Sequence, residues 1–156
     1  MSPNEQTIRT LYSLAEGKTK DTAKFVSMFA EGGYFRNMSS GQTFYGEDIG
    51  ETVDIMAAAF PDLHRDLLNA YLDGDVVIME LTINGTHDGD LKTPARVISP
   101  THKAMKTPCC DVFHLKDGKV LSFHCYVIES VMMKQLGLAL SSAPRTTQKV
   151  PLGRPS

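Results

Sequence analysis

Two runs of alternating side chains face each other across a dipeptide that reverses chains. Residues 109–116 read Cys-Cys-Asp-Val-Phe-His-Leu-Lys, residues 119–129 read Lys-Val-Leu-Ser-Phe-His-Cys-Tyr-Val-Ile-Glu, and Asp117-Gly118 separates them. Asp-Gly between period-two runs is a strong hairpin signal. A slip of one residue exchanges the two faces of such a hairpin, so the loop decides which side chains meet. A two-residue loop sets Asp111 opposite His124. A three-residue loop, Asp117-Gly118-Lys119 with Gly118 left-handed and a bulge, sets Asp111 opposite Cys125. The second register gives one nearly apolar face: Cys109, Asp111, Phe113, Leu115, Leu121, Phe123, Cys125, Val127 and Glu129. The other face is mixed, with Cys110, Val112, His114, Lys116, Val120, Ser122, His124, Tyr126 and Ile128. The three-residue loop is therefore expected.

The rest of the chain supplies helices for that sheet to pack on. Ile8, Leu11, Leu14 and Ala15 mark a helix over residues 4–16. Asp21 is a suitable N-cap for a second helix, with Ala23, Val26 and Phe29 inward and Gly32-Gly33 as its stop. Tyr34–Ser39 read as a short strand before a Ser/Gly loop. Residues 47–60 form a third helix, with Ile49, Val53, Met56 and Phe60 on one stripe and acids in its first turn. Strands follow at 64–72, 75–87, about 96–115 and 119–129, then a short helix ending at Gly137. Three helices before a strongly twisted antiparallel sheet make an α+β fold, and a curved sheet wrapped against helices leaves a concavity where a ligand would go. One domain over residues 1–138 is expected. The last residues, 139–156, are poor in apolar side chains and read as a disordered tail.

Composition narrows the function classes. Among 156 residues the formal net charge is −2, and no Lys/Arg stripe precedes the extreme C-terminus, so a nucleic-acid surface is not expected. No apolar run is long enough for a membrane span, and the N-terminus lacks a basic start followed by an apolar block. Three cysteines, two adjacent, fit a reducing cytoplasmic setting better than a disulfide framework.

His114 and His124 share the outer face while Asp111, Cys125 and Glu129 lie inside, so no metal centre is expected from this hairpin, and no CxxC or HExxH spacing occurs. Asp111 among Phe113, Phe123 and Leu115 must be paired or have a raised pKa, which suits a general acid or base. It could equally be satisfied by a buried hydroxyl, amide or Arg without catalytic duty. Glu129 stands at a strand end, on the rim or in the pocket. Cys125 is more simply a small buried hydrophobe than a nucleophile. Arg36 could neutralise one of the acids or hold a developing oxyanion. His87 continues the inward face of Met79, Leu81 and Ile83 and could assist proton transfer. Tyr45 and His64, flanking the third helix, are candidate pocket-lining residues, as are the aromatic and Met side chains Phe29, Phe60, Met79, Phe113 and Phe123.

At this point the sequence resembles a known family. The stretches FPDLHRDLLNAYLDGDVVIMELTINGTHDG and CDVFHLKDGKVLSFHCYVIESVMMKQLG are similar to the SnoaL-like polyketide cyclases, which share the broader fold of nuclear transport factor 2, ketosteroid isomerase and scytalone dehydratase. The resemblance spans residues 5–138. It implies an α+β cone, often dimeric through its sheet, with a deep pocket and acid–base chemistry that needs no cofactor. In the family's aldol cyclases an Asp on the last strand is assisted by a Gln and a His on the preceding strand. Those positions fall on Cys125, Cys109 and Asp111. Fungal members that rearrange alkaloids and meroterpenoids are similar in using an early-strand Arg and a late Glu, matched by Arg36 and Glu129. The resemblance thus implies a cofactor-free isomerase or cyclase acting on a hydrophobic polycyclic natural product. Asp111, Glu129, Arg36 and His87 would act on the substrate, and Cys109 and Cys125 would line the pocket. A non-catalytic ligand-binding or dimerising module and a dehydratase or epoxide hydrolase are the alternatives.

Overall fold

The computed structural model describes residues 1–138. Helix α1 (Pro3–Ser13) starts where Ser2 accepts a hydrogen bond from the Glu5 amide at 3.1 Å and Pro3 fills the first turn. It buries Ile8, Leu11 and Tyr12, one stripe of an amphipathic helix. Helix α2 (Thr22–Ser27) is capped by Asp21, as expected, but ends early. Phe29 opens strand β1 (Phe29–Asn37) instead of closing the helix. The aromatic run of Phe29, Tyr34 and Phe35 suits a pleated surface, and pairing with the last strand overrides the helical spacing. Strand β2 (Thr43–Tyr45) occupies what reads in sequence as loop, and helix α3 is Glu47–Ala59.

The sheet then runs through β3 (His64–Asp73), β4 (Val76–Thr86), the short β5 (Leu91–Lys92) and β6 (Val97–Ile98), β7 (Ala104–Lys116) and β8 (Lys119–Val127). Helix α4 (Glu129–Gln135) closes the described chain, so Glu129 begins a helix and does not end a strand. Six strands form one sheet in the order β2-β1-β8-β7-β4-β3. The expected all-antiparallel sheet is corrected at one pair: β1 runs parallel to β8. With that pair the sheet is mixed, while the α+β architecture holds. The expected tail, residues 139–156, lies outside the described residues.

The hairpin gives the expected pairing by another device. Lys116 pairs with Lys119, so the loop is two residues long. Asp117 and Gly118 both have positive φ, 51° and 78°, the pattern of a turn whose twist matches the strands. The shift comes later: Leu115 pairs with Val120, His114 with Ser122, and Leu121 is bulged out. Beyond the bulge Asp111 does pair with Cys125. Before it, the expected faces are exchanged on β8: Val120 is fully buried and Leu121 is 38% exposed.

Helices cover one face of this sheet, and the core lies between them. Ile8, Leu11, Ile49, Phe60, Val77, Met79, Leu81, Phe113 and Val120 are all nearly solvent-free. Among the described residues no helix is long and apolar enough to cross a membrane.

Candidate functional site

Alternation on β7 and β8 carries Cys109, Asp111, Phe113, Phe123 and Cys125 to the covered face. Asp111 is 2% exposed. Its Oδ2 accepts from the Tyr12 hydroxyl at 2.7 Å, and its Oδ1 accepts from the Cys109 thiol at 3.2 Å. The Cys109 and Cys125 sulfurs are 3.7 Å apart. Side-chain oxygen and sulfur atoms of Cys109, Asp111 and Cys125 all lie within 4.8 Å of one another. Around them the Phe113 ring lies tilted against Phe123 at 4.3 Å and meets Tyr12 edge-on at 5.8 Å.

Burial dominates the electrostatics of this group. It raises the Asp111 pKa from its ordinary value; the Tyr12, Cys109 and Cys125 contacts and the Arg65 charge pull the other way without cancelling it. Tyr12 is pushed well up, first by burial and then by the Asp111 charge. The Cys109 thiol is raised by its contact with Cys125 and by burial. At Cys125 the Cys109 contact lowers the pKa, but burial and the Asp111 charge outweigh it, so that thiol is raised as well. The group is a carboxyl whose pKa burial raises, held by a phenol and a thiol, with a second thiol beside the first. A carboxyl shifted in that direction suits general acid–base work.

Two members of this site were not found from the sequence. Tyr12 sits four residues after Ile8 on the inner stripe of α1, a polar-tipped aromatic where only hydrocarbon was sought. Arg65 lies near the start of β3 and donates to Glu16 at 2.9 Å and to the Ala15 carbonyl at 3.1 Å. Its guanidinium carbon is 5.9 Å from the Tyr12 ring centre. The Arg65–Glu16 pair ties the segment just after α1 to the sheet, close to Tyr12. The inward parity of Arg65, two residues before Leu67, was the available signal.

The other sequence candidates do not join this group. Arg36 is aligned with His124 on the parallel strand, which puts it on the opposite face. There its Nε donates to the Thr43 hydroxyl at 2.9 Å and its guanidinium lies 5.0 Å from the centre of the Tyr34 ring. The Tyr34 hydroxyl is 2.9 Å from His124 Nε2, and Tyr45 packs against Tyr34 at 5.8 Å. Burial and the Arg36 charge lower the His124 pKa. Tyr45 and His64 are exposed and do not line the interior. Glu129 is exposed at the start of α4, where it borders a surface hollow of about 540 Å³ with Met38 and Tyr126.

His87 is fully buried, as its parity indicates, but far from the acid. Asp111 pairs with Met79, and His87 lies eight residues beyond Met79, roughly 26 Å of strand path. Its Nδ1 accepts from the Thr101 amide at 3.2 Å, which leaves the proton on Nε2, an atom with no partner among the described residues. Phe60 stacks on its ring at 5.3 Å, so these two form a separate inner group. Burial lowers the His87 pKa. Gly89 closes that end of the cone against α3, where a Cβ would overlap the Ala58 carbonyl.

Among the described residues the interior is filled. Phe60, Phe113, Met79 and Leu81 are at most 2% exposed. A second hollow, about 300 Å³, lies at the surface between Val26, Glu31, Tyr45 and Ile49. Neither hollow is lined by Asp111.

The family model for SnoaL-like polyketide cyclases matches residues 6–136. The chain belongs to the SnoaL-like polyketide cyclase family. Solved structures share its fold at low identity. A protein from Jannaschia sp. CCS1, assigned as a SnoaL-like polyketide cyclase, is 19% identical with a TM-score of 0.75, over 88% of this chain and 93% of that one. IdmH from Streptomyces antibioticus, assigned as a polyketide cyclase, is 18% identical with a TM-score of 0.71, over 86% and 99%. A phenazine biosynthesis-related protein from Pseudomonas aeruginosa is 15% identical with a TM-score of 0.68, over 95% and 94%. Among curated proteins none matches this sequence.

Proposed function

We propose that this SnoaL-like chain is a cyclase or isomerase that moves protons on a hydrophobic polycyclic natural product, with Asp111 as the acid–base group and Tyr12 holding it. The observation that supports this reading is the buried Asp111 carboxyl, bound by Tyr12 at 2.7 Å and raised in pKa by its surroundings. Phe113, Phe123, Met79, Cys109 and Cys125 supply the apolar wall expected for such a substrate. Arg36 and Glu129, on the other face and at the rim, have no direct part in that step. His87 is left a structural role beside Phe60.

Substrate must reach Asp111 past Tyr12 and the aromatic side chains that now cover it, so the reading includes movement of α1 away from the sheet. The filled interior favours a second reading, a non-catalytic module that presents the open face of its sheet to a second copy. That face carries Arg36 on β1 towards one edge and Glu80, Asp66 and Asp73 on β4 and β3 towards the other, a polarity that suits pairing two copies about a twofold axis.

Solvent-deuterium exchange next to the carbonyl of a polycyclic ketone distinguishes the two readings. The enzyme reading predicts catalysed exchange that falls about 10²–10⁴-fold in Asp111→Asn. Binding without exchange supports the module, and full exchange in Asp111→Asn removes Asp111 from the chemistry.

A further inference from the structure

The expectation of no metal in the hairpin rested on histidines facing away from the inner acids and on the absence of CxxC or HExxH spacing, and His114 and His124 do face away from Asp111. The two thiols and the carboxylate do not. We propose that Cys109 Sγ, Cys125 Sγ and Asp111 Oδ1 form a binding site for a thiophilic divalent cation such as Zn²⁺. This goes beyond the catalytic reading. A cation held there takes the Asp111 oxygen that proton transfer uses, so loading and turnover oppose each other.

The geometry carries the inference. Zinc–sulfur bonds of about 2.3 Å at a tetrahedral angle set two thiolates roughly 3.8 Å apart. The Cys109 and Cys125 sulfurs stand at 3.7 Å. A thiolate and a carboxylate oxygen on one tetrahedral ion lie roughly 3.5 Å apart, and Cys109 Sγ is 3.2 Å from Asp111 Oδ1. The remaining pair, Cys125 Sγ and a carboxylate oxygen of Asp111, is within 4.8 Å, so modest side-chain rotation closes the set.

The surroundings fit as well. Ligating carboxylates are usually held by an outer hydrogen bond, and the Tyr12 hydroxyl already occupies Oδ2, leaving Oδ1 towards the sulfurs. A divalent cation cancels two of the three ligand charges, and the Arg65 charge reaches both Asp111 and Cys125. All three ligands are buried on neighbouring strands of one sheet, Asp111 and Cys125 directly opposite each other. Ligation needs thiolates, so binding releases the thiol protons and tightens as pH rises.

Co²⁺ titration of the full chain under a phosphine reductant tests this without any substrate. The expected result is one equivalent of cobalt bound with thiolate-to-cobalt charge-transfer absorption and the intense visible bands of a tetrahedral ion, both bleached by Zn²⁺. Cys109→Ser and Cys125→Ser should each lose these bands, and Tyr12→Phe should weaken binding by about 10- to 100-fold. Cys110→Ser, on the other face, should bind as the unaltered chain does. Absence of the charge-transfer band in the unaltered chain overturns the proposal whatever the variants do. So does a band that survives Cys109→Ser or Cys125→Ser, or one lost in Cys110→Ser. The deuterium-exchange test stands or falls separately.

Discussion

Adjacent residues of β7 and β8 differ mainly in which side of the sheet they occupy, and their chemistry diverges accordingly. Asp111 on the covered side is 2% exposed, bonded to a phenol and a thiol, and raised in pKa. One residue along, Val112 is half-buried, and His114 beyond it is exposed beside Ser122 at 3.4 Å. The outer group of Tyr34, Arg36 and His124 is as rich in polar atoms as the inner one. It remains partly solvated, so a lost contact there can be replaced by water. On the inner face no water competes, and each polar contact has to be answered by protein. Residue type alone therefore does not identify the site here; the face does.

That contrast predicts a graded set of outcomes. The largest concerns packing: Phe113→Ala should cost about 3–5 kcal/mol in denaturant unfolding, while Val112→Ala should cost about 1 kcal/mol or less. Equal costs would break the comparison between the faces. Next, Tyr12→Phe should cost about 1–3 kcal/mol, because it leaves a buried carboxyl oxygen without its donor. Smaller still, Tyr34→Phe should cost about 0.5–1.5 kcal/mol, since His124 is partly exposed and can turn to solvent. A larger loss at Tyr34 than at Tyr12 would reverse the ranking.

The smallest effect is one of pH. Asp111 binds its proton more tightly folded than unfolded, so its contribution is fully present below the unfolded carboxyl pKa of about 3.9 and is lost as pH rises through the folded value. His87 acts oppositely. Its lowered pKa makes stability fall as pH drops below about 6.5 towards the folded value. The fall in stability as pH rises from about 3.9 towards the folded Asp111 value should therefore disappear in Asp111→Asn, while the fall below about 6.5 from His87 stays. An unchanged decline in that variant would show that Asp111 titrates normally.

Much of this was legible in the sequence because alternation and turn chemistry are local signals. The Asp111–Cys125 pairing, the inward His87 and the outward His114 and His124 followed from period-two patterning. The loop did not: a two-residue turn with a bulge at Leu121 and a three-residue bulged loop give the same offset beyond the irregularity. Polarity could not separate them, because it sums over the whole strand. Phe29 was misread because six residues of helix give way to a strand whose parallel partner lies about ninety residues away. Tyr12 and Arg65 were missed for a related reason. Their relation to Asp111 is tertiary, made by packing α1 against the sheet, and neither residue type stands out in a stripe of its own element. Arg36 was put with the acids because an early-strand Arg could neutralise one of them, a reading the family resemblance reinforced, and its alignment with His124 on the parallel β1–β8 pair assigns it to the other face.

The central claim is that a sealed, phenol-bound carboxyl lies at the middle of the covered face. Carboxyl ¹³C NMR titration of Asp111 measures this directly. The account predicts a midpoint above the ordinary aspartate range of about 3.9, moving higher still in Tyr12→Phe because the bond that favours the ionised form is gone. A midpoint at or below that ordinary value, or one that Tyr12→Phe leaves in place, would contradict it.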